Sequence, residues 1–240
     1  MKNILIIGSG FMGTSIALAV GNRNTFCVEE HSPFKDFLIE RDIYKNIYSS
    51  LDEVEDREFD LIIICLRQKS VPDKINEVSK KYPSSIITEI SSSKNFLKKY
   101  NMPENFISSH PICGSHNTGP QYSDGELFKN KEVIVISNPN KFLSEKIELF
   151  WNSIGAKVTY MDIDEHNKIY AFLSHFPHYF SFIYKKILEE EKIDYKRLSG
   201  DSLKEILRLS ESDKDLWNEI FSDNKENLDF LVEKVNKYLK

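Results

Sequence analysis

A short apolar segment ends abruptly in a run of glycines, and this combination restricts the fold more than any other part of the chain. Residues 3–7 read NILII, which is typical of a strand buried on both faces. Residues 8–13 read GSGFMG, and apolar residues at helical spacing follow as far as Val20. A strand, a glycine loop and a helix in this order form the context in which GxGxxG indicates dinucleotide binding.

The glycine loop supplies most of the predicted cofactor-binding residues. Gly8 permits a tight turn, Gly10 lets the backbone approach a pyrophosphate, and Gly13 lets the helix pack closely on the strand. Phe11 and Met12 lie at the start of the helix, where free N–H groups and the helix dipole favour phosphate. The alternative is a glycine turn that holds no ligand.

Two adjacent acids follow a second strand, predicted at 26–28, and bear on the choice of cofactor. A Glu30 carboxylate can accept hydrogen bonds from both ribose hydroxyls and repels a 2′-phosphate, which favours NAD over NADP. Because a strand alternates its faces, Glu29 is the alternative. Arg67, which follows a strand predicted at 59–66, is also expected near the cofactor and argues in the opposite direction, towards NADP.

Strands and helices alternate through the first two thirds of the chain. Strands are predicted at 3–7, 26–28, 59–66, 85–91, 106–110 and 132–137, and helices at about 71–80 and 140–154. This order predicts an α/β fold with a doubly wound, mostly parallel sheet. Only helical spacing remains beyond Asp164, so we expect a dinucleotide-binding domain at 1–163 and a smaller all-helical domain at 164–240.

Composition and charge exclude several classes of protein. The net charge of -5 argues against a dedicated nucleic-acid-binding protein. The apolar runs are too short to span a membrane, and no signal-type segment is present, so we expect a cytoplasmic protein. The three cysteines form no CxxC pair and the histidines have no strong ligand spacing, so neither a disulfide framework nor a metal site is predicted.

The polar stretch SSHPICGSH, at 108–116, overlaps the end of the strand predicted at 106–110. Polar strand ends are where ligands bind in a doubly wound fold. The residues alone leave two readings of His110 open, since it either takes part in a reaction or completes a turn.

Seven segments resemble the prephenate dehydrogenase family, the enzymes of tyrosine biosynthesis. They are GSGFMG at 8–13, SSSK at 91–94, SHPICGS at 109–115, LF at 127–128, WNSIGAKVTYMD at 151–162, EHNKIYAFLSHFPH at 165–178 and RLSESDKDLWNEIFSDN at 208–224. The resemblance runs nearly end to end and implies that the helical domain binds substrate and forms a homodimer. It also implies oxidative decarboxylation of prephenate to 4-hydroxyphenylpyruvate, with hydride transfer to NAD and no metal.

The same resemblance implies roles for individual residues. His110 matches the catalytic histidine, whose neutral imidazole accepts the hydroxyl proton of the substrate. Ser92 matches a serine that orients substrate, cofactor and histidine. Arg208 matches an arginine that grips a substrate carboxylate. His175 matches a position near substrate and cofactor.

The chain departs from the family pattern at His116, which stands where many members carry a glutamate thought to gate the pocket. We include His116 among the substrate-binding residues, and Glu205, three residues before Arg208, is an alternative partner for that arginine. Ordinary structural roles also remain open, since Ser92 can cap a helix at 94–100 and Arg208 can be an exposed helix charge.

Three alternative functions are compatible with parts of the pattern. The first is the same reaction on arogenate, which carries an amino group in place of the keto group. The second is another dehydrogenase of similar build, acting on a hydroxyacid or an imine. The third is a dinucleotide-binding regulator without catalysis, which has no need to keep His110, Ser92 and Arg208 together.

Overall fold

The computed structural model describes residues 1–54, 57–114 and 117–239, which form two compact units. Unit 1 consists of Met1–Ser92 and Leu97–Ile163, and unit 2 consists of Ser93–Phe96 and Asp164–Lys240. Unit 2 therefore includes a four-residue segment from the middle of the sequence, which the sequence pattern does not reveal.

Unit 1 contains two sheets. Its strands are β1 (Ile4–Ile7), β2 (Thr25–Val28), β3 (Asn46–Tyr48), β4 (Leu61–Ile64), β5 (Ile86–Glu89), β6 (Ser109–Pro111), β7 (Glu132–Ile136) and β8 (Lys157–Met161). The first sheet has the order β3-β2-β1-β4-β5 and is parallel throughout. In the second, β7 runs antiparallel to β6 and parallel to β8. The predicted α/β fold with a mostly parallel sheet is confirmed, and β3 and β8 are strands that the sequence did not predict.

Helices cover the sheets of unit 1 and build unit 2. They are α1 (Phe11–Val20), α2 (Ser32–Glu40), α3 (Val71–Lys81), α4 (Lys141–Ser153), α5 (Ile163–Tyr170), α6 (Phe176–Glu190), α7 (Tyr195–Leu198), α8 (Asp201–Arg208), α9 (Lys214–Asp223) and α10 (Lys225–Tyr238). A π-helical turn, Ala171–His175, joins α5 to α6. Within the described ranges, no helix is both long enough and apolar enough to cross a membrane.

The central strands β1 and β4 are buried on both faces, which explains their continuous apolar sequences. Every side chain of Ile4–Ile7 and Leu61–Ile64 is buried, and burying one such side chain contributes about 1.5–3 kcal/mol. Because these strands pair in parallel, with Ile7 opposite both Val28 and Ile64, their carboxyl ends lie at one edge of the sheet. We call this the carboxyl edge.

A buried seam joins the two sheets between β5 and β6. A parallel β-bridge pairs Ile87 with Phe106. Beyond this bridge, the hydroxyl groups of Thr88 and Ser109 lie 2.9 Å apart, and Trp151 Nε1 donates to Ser109 Oγ at 3.0 Å. Ser109, Thr88 and Trp151 are all fully buried, so the polar side-chain atom of each of these three residues has its hydrogen-bond partner inside the protein.

Replacing Trp151 with alanine is expected to destabilise unit 1 by about 3–5 kcal/mol, because it leaves a large cavity and removes the donor to Ser109. The control is Phe142→Ala, on the same helix α4, whose side chain is 58% exposed. We expect the control to change stability by less than about 0.5 kcal/mol. Denaturant unfolding followed by circular dichroism measures the free energy of unfolding of both variants. Equal decreases in this free energy would contradict the role of the buried seam.

Candidate functional site

The glycine loop after β1 is packed so tightly that two of its positions exclude any side chain. Gly8 has a φ of 91°, and a Cβ atom there would lie 2.6 Å from the Cys65 carbonyl oxygen. A Cβ atom at Gly13 would lie 2.1 Å from the Gly8 carbonyl oxygen. At Gly10, in contrast, a Cβ atom would meet nothing within 4 Å. The backbone at Gly10 therefore faces open space at the N-terminus of α1, as a pyrophosphate-binding loop requires.

A buried carboxylate organises this loop from the end of β2. Glu29, only 8% exposed, accepts hydrogen bonds from Ser9 N at 2.8 Å, from Ser9 Oγ at 2.7 Å and from His31 N at 2.8 Å. Thr14 Oγ1 donates to the Ser9 carbonyl at 2.9 Å, which fixes the other side of the loop. Because carboxylate oxygens accept more than one hydrogen bond each, Glu29 keeps acceptor capacity for a ligand.

The other predicted cofactor-binding residues are placed differently. Glu30 is exposed, so the acid whose carboxylate faces the loop is Glu29, the alternative that strand alternation left open. Arg67 is exposed at the start of a short 3₁₀ turn after β4. Phe11 and Met12 are half-buried in the first turn of α1.

Ser92 and His110 follow two segments that run side by side in parallel in unit 1. Since Phe106 pairs in parallel with Ile87, the segment that leads to His110 runs alongside β5 towards the end from which the chain continues to Ser92. His110 is 8% exposed, and Ser92 is half-buried. Both therefore lie at the carboxyl edge, where the glycine loop also lies.

Glu89 is a residue of this region that the sequence analysis missed. Its carboxylate is fully buried, accepts from Ser91 N at 2.6 Å and forms a hydrogen bond with Ser108 Oγ. It thus ties the loop that carries Ser92 to the strand that carries His110. An acid within the apolar run SIITEIS was the available indication, because a buried carboxylate requires partners.

The cysteines near these residues are unsuited to act as nucleophiles. Burial raises the pKa of Cys113 to about 12, although the charge of Lys131 acts in the opposite sense. Burial also raises the pKa of Cys27 to about 12. Both stay protonated at neutral pH, whereas the thiolate is the reactive form.

Unit 2 holds the other predicted site residues. His175 ends the π-helical turn, a feature that is frequent at functional sites, and it is fully buried. The His178 ring stacks on Trp217 with 3.6 Å between centroids. Burial lowers the pKa of His178, and the charge of Arg208 lowers it further, while the hydrogen bond to the Ser174 carbonyl opposes the shift.

Arg208 is the last residue of α8, and its side chain is exposed. Within the part of the chain that the structure describes, no ion pair joins it to Glu205, so the suggested partner is not seen. The guanidinium is thus available for an anionic ligand. His116, the other predicted substrate-binding residue, lies outside the described residues.

A buried polar network in unit 2 was also not predicted. Ser93–Phe96 enters it through hydrogen bonds from Ser93 Oγ to Asp223 at 2.7 Å and from Lys94 N to Asn167 Oδ1 at 2.9 Å. Lys94 is fully buried. Burial lowers the pKa of His166 to about 3, and the charge of Lys94 contributes to that shift. The sequence motif SSSK contains Lys94, but nothing in its pattern assigned the lysine to unit 2.

A cavity of about 440 Å³ in unit 1 contains none of the predicted site residues. Its lining includes Phe106, Ile136 and Asn138. Because β7 runs antiparallel to β6, the end of β7 at Ile136 lies away from the carboxyl edge. This cavity and the glycine loop therefore lie in different parts of unit 1.

Comparisons with known proteins agree with this geometry. The family model described as prephenate dehydrogenase, nucleotide-binding domain, matches residues 36–160, and the one described as prephenate dehydrogenase, dimerization domain, matches residues 162–240. The prephenate dehydrogenase of Lactococcus lactis subsp. cremoris is 25% identical, over 100% of this chain and 70% of that protein. The cyclohexadienyl dehydrogenase of Zymomonas mobilis is 27% identical, over 93% and 81%.

A solved structure with the same fold is that of prephenate dehydrogenase from Aquifex aeolicus in complex with hydroxyphenyl propionate and NAD+. It is 25% identical in sequence and superimposes with a TM-score of 0.91, covering 100% of this chain and 88% of that one. The similarity thus extends over both units of the chain.

The two glycines Gly10 and Gly13 are expected to respond differently to alanine. Gly10→Ala adds a methyl group in open space, so the melting temperature should stay unchanged while NAD affinity falls by about tenfold or more. Gly13→Ala forces a backbone clash and should lower the melting temperature itself. Thermal unfolding without ligand and calorimetric titration with NAD separate the two effects. Unchanged NAD affinity in folded Gly10→Ala would mean that the loop does not hold the pyrophosphate.

Proposed function

Because the chain belongs to the prephenate dehydrogenase family, we propose that it oxidatively decarboxylates prephenate to 4-hydroxyphenylpyruvate with NAD as hydride acceptor. The observation that supports this proposal is the parallel bridge between Ile87 and Phe106, because the segments leading to Ser92 and to His110 run alongside each other towards the carboxyl edge, where the glycine loop also lies. In this fold that edge is where a dinucleotide and its substrate bind.

The residues of unit 1 fit NAD. Gly10 leaves room for the pyrophosphate, the N-terminus of α1 offers free N–H groups, and Glu29 holds a carboxylate against the loop. A carboxylate at the end of β2 accepts ribose hydroxyls and repels a 2′-phosphate, which favours NAD. When bound, NAD supplies the acceptor for the hydride that leaves the carbon bearing the substrate hydroxyl. The Aquifex aeolicus relative was solved with NAD+, which supports this choice.

His110 serves as the base in this proposal. A neutral imidazole accepts the proton of the substrate hydroxyl as the hydride departs, while the opposite ring position loses carbon dioxide. The electrons of the broken C–CO₂ bond make the ring aromatic as a phenolate, and the proton held by His110 returns to the phenolate oxygen to give the 4-hydroxyl group, so the protein mainly has to orient the reactants and hold one proton. Ser92 orients the substrate hydroxyl and the imidazole, and Glu89 fixes the loop that carries Ser92.

Unit 2 contributes the residues that bind the substrate. The exposed Arg208 guanidinium is suited to grip a carboxylate through two parallel hydrogen bonds. His175 is buried in the same unit, and its ring packs edge-to-face with that of Trp217, with 6.2 Å between centroids. Arogenate is the alternative substrate, because it differs from prephenate only in the side chain and carries the same ring.

Glu29 is expected to set the cofactor preference. Glu29→Gln removes the negative charge that faces the loop, so NAD affinity should fall by about tenfold and the preference for NAD over NADP should narrow. Glu30→Gln is the matched control, because its side chain is exposed. Steady-state kinetics with each cofactor measures the preference, and a larger change in the Glu30 variant would reverse the assignment.

His110→Ala should lower kcat by about 10²- to 10⁴-fold, because it removes the proton acceptor. NAD affinity should stay within about twofold of the wild type, since the glycine loop is untouched. Stopped-flow formation of reduced nicotinamide from prephenate measures turnover, and calorimetry measures NAD binding. A variant with wild-type kcat would exclude His110 as the base.

Arg208→Ala provides the contrasting case for substrate binding. Loss of a charged hydrogen bond shared by ground and transition states should raise KM by about 10- to 100-fold and change kcat much less. An effect on kcat alone would remove the carboxylate-binding role.

We also infer that two copies of unit 2 form a homodimer. Three exposed apolar residues follow one another at seven-residue spacing, Leu173 in the π-helical turn and Phe180 and Ile187 on α6, and Leu173 is 72% exposed. An exposed apolar stripe of this kind marks an interaction surface, and the matched family model is that of a dimerization domain.

Light scattering should therefore give twice the 28.0 kDa mass of one chain. Phe180→Glu should shift the protein towards monomer, whereas Leu149→Glu, at an exposed apolar position of α4 in unit 1, should not. A wild-type monomer would refute the dimer.

A further inference from the structure

The amide of Asn224 is buried between α9 and α10 and has its hydrogen-bond partners within unit 2. Its Nδ2 atom donates to the Asn167 carbonyl oxygen at 2.8 Å and lies 2.9 Å from His175 Nδ1. Its Oδ1 atom accepts from Asn227 Nδ2 at 2.8 Å and from Asn95 Nδ2 at 3.4 Å. Asn224 is fully buried, so these contacts occur without competition from water.

These partners leave one possible orientation of the amide. A backbone carbonyl can only accept, so the nitrogen of Asn224, and not its oxygen, must face Asn167. Asn95 supports the same orientation independently. The Nδ2 atom of Asn95 donates to the Asp223 carbonyl oxygen at 2.8 Å, so the Asn95 amide cannot be flipped, and the atom of Asn224 that faces this donor must be its oxygen. The second N–H of Asn224 is consequently directed at His175 Nδ1.

We infer that Asn224 holds His175 as the neutral tautomer protonated on Nε2, so that His175 donates a hydrogen bond to an acceptor oxygen of the substrate and is not a second base. A ring nitrogen that accepts a hydrogen bond carries a lone pair, so the single proton of a neutral imidazole lies on the other nitrogen. The tautomer follows from unit 2 alone, whereas the role towards substrate rests on the proposed function.

The surroundings of His175 disfavour a second proton on its ring. The ring is fully buried, and burial disfavours the charged form of an imidazole. Lys94, also fully buried, already brings a positive charge into this network. Burial and the charge of Lys94 lower the pKa of the neighbouring His166 to about 3, although its hydrogen bond to Asn167 acts in the opposite sense.

This arrangement divides the two histidines by function. His110, in unit 1, is the residue that accepts a proton, and His175 contributes a fixed N–H donor to a carboxylate or carbonyl oxygen. Asn224 is a positioning residue, because it acts on the substrate through His175. Its place at the junction of α9 and α10, with Asn95 and Asn167 on either side, also couples the tautomer to the packing of Ser93–Phe96.

The test is NMR of the protein labelled with ¹⁵N-histidine at neutral pH, because the ring ¹⁵N shifts identify which nitrogen carries the proton. The His175 resonances are assigned by their loss in His175→Gln. In the wild type we expect Nε2 to be protonated and Nδ1 to be bare. A proton on Nδ1 in the wild type would overturn the inference by itself, whether or not any variant folds.

Two variants sharpen this measurement. Asn224→Asp places an acceptor-only carboxylate against His175, so a proton should appear on Nδ1. Asn227→Ala removes a donor to the same Asn224 amide but leaves its N–H groups in place, so the wild-type pattern should persist. An unchanged pattern in folded Asn224→Asp would contradict the inference.

Kinetics with prephenate test the donor role separately. His175→Gln can present an amide N–H near the position of Nε2, so KM should stay within about threefold of the wild type. His175→Asn is too short to do so, and KM should rise by about tenfold with little change in kcat. Equal KM values in the two variants would exclude the donor role. Absence of wild-type turnover would instead reject the proposed function. The tautomer of His175 would still be decided by the NMR measurement, which does not depend on turnover.

Discussion

The buried seam between β5 and β6 determines where His110, the proposed base, lies. One β-bridge, between Ile87 and Phe106, sets the register, and the hydroxyl chain through Thr88, Ser109 and Trp151 holds it in the interior. Because side chains alternate along a strand, a slip of one residue would turn His110 to the opposite face of the sheet. The proposed chemistry therefore depends on this seam as directly as on the imidazole itself.

Buried carboxylates play a related part at the carboxyl edge. Glu29 fixes the glycine loop through Ser9, and Glu89 fixes the turn that leads to Ser92. Each carboxylate is buried against N–H or O–H donors, which offset the cost of removing it from water. The loops proposed to bind cofactor and substrate are thus held in place by buried carboxylates.

Much of the fold could be predicted because buried parallel strands have an unmistakable sequence. β1 and β4 are continuous apolar runs, and the structure confirms them within one or two residues at each end. β8 escaped prediction because it is an edge strand whose side chains are exposed or half-buried, so no apolar run marks it. β3 is only three residues long and carries an equally weak pattern.

The site could be predicted in part, and the remainder depends on contacts distant in sequence. The glycine loop can be recognised from its local sequence motif, and His110 from its place in a polar strand end. The choice between Glu29 and Glu30 depends on how the end of β2 meets the loop, which two adjacent acids cannot reveal. Asn224 lies 49 residues from His175, so nothing in the sequence pattern links the two.

The most direct test of the account is the formation of reduced nicotinamide by the purified protein, with prephenate and with arogenate, each in the presence of NAD and of NADP. We predict the highest kcat/KM for prephenate with NAD, together with release of carbon dioxide in equal amount. Absence of turnover with all four combinations, in a protein that binds NAD, would contradict the account, because the nucleotide-binding unit would then serve a different reaction.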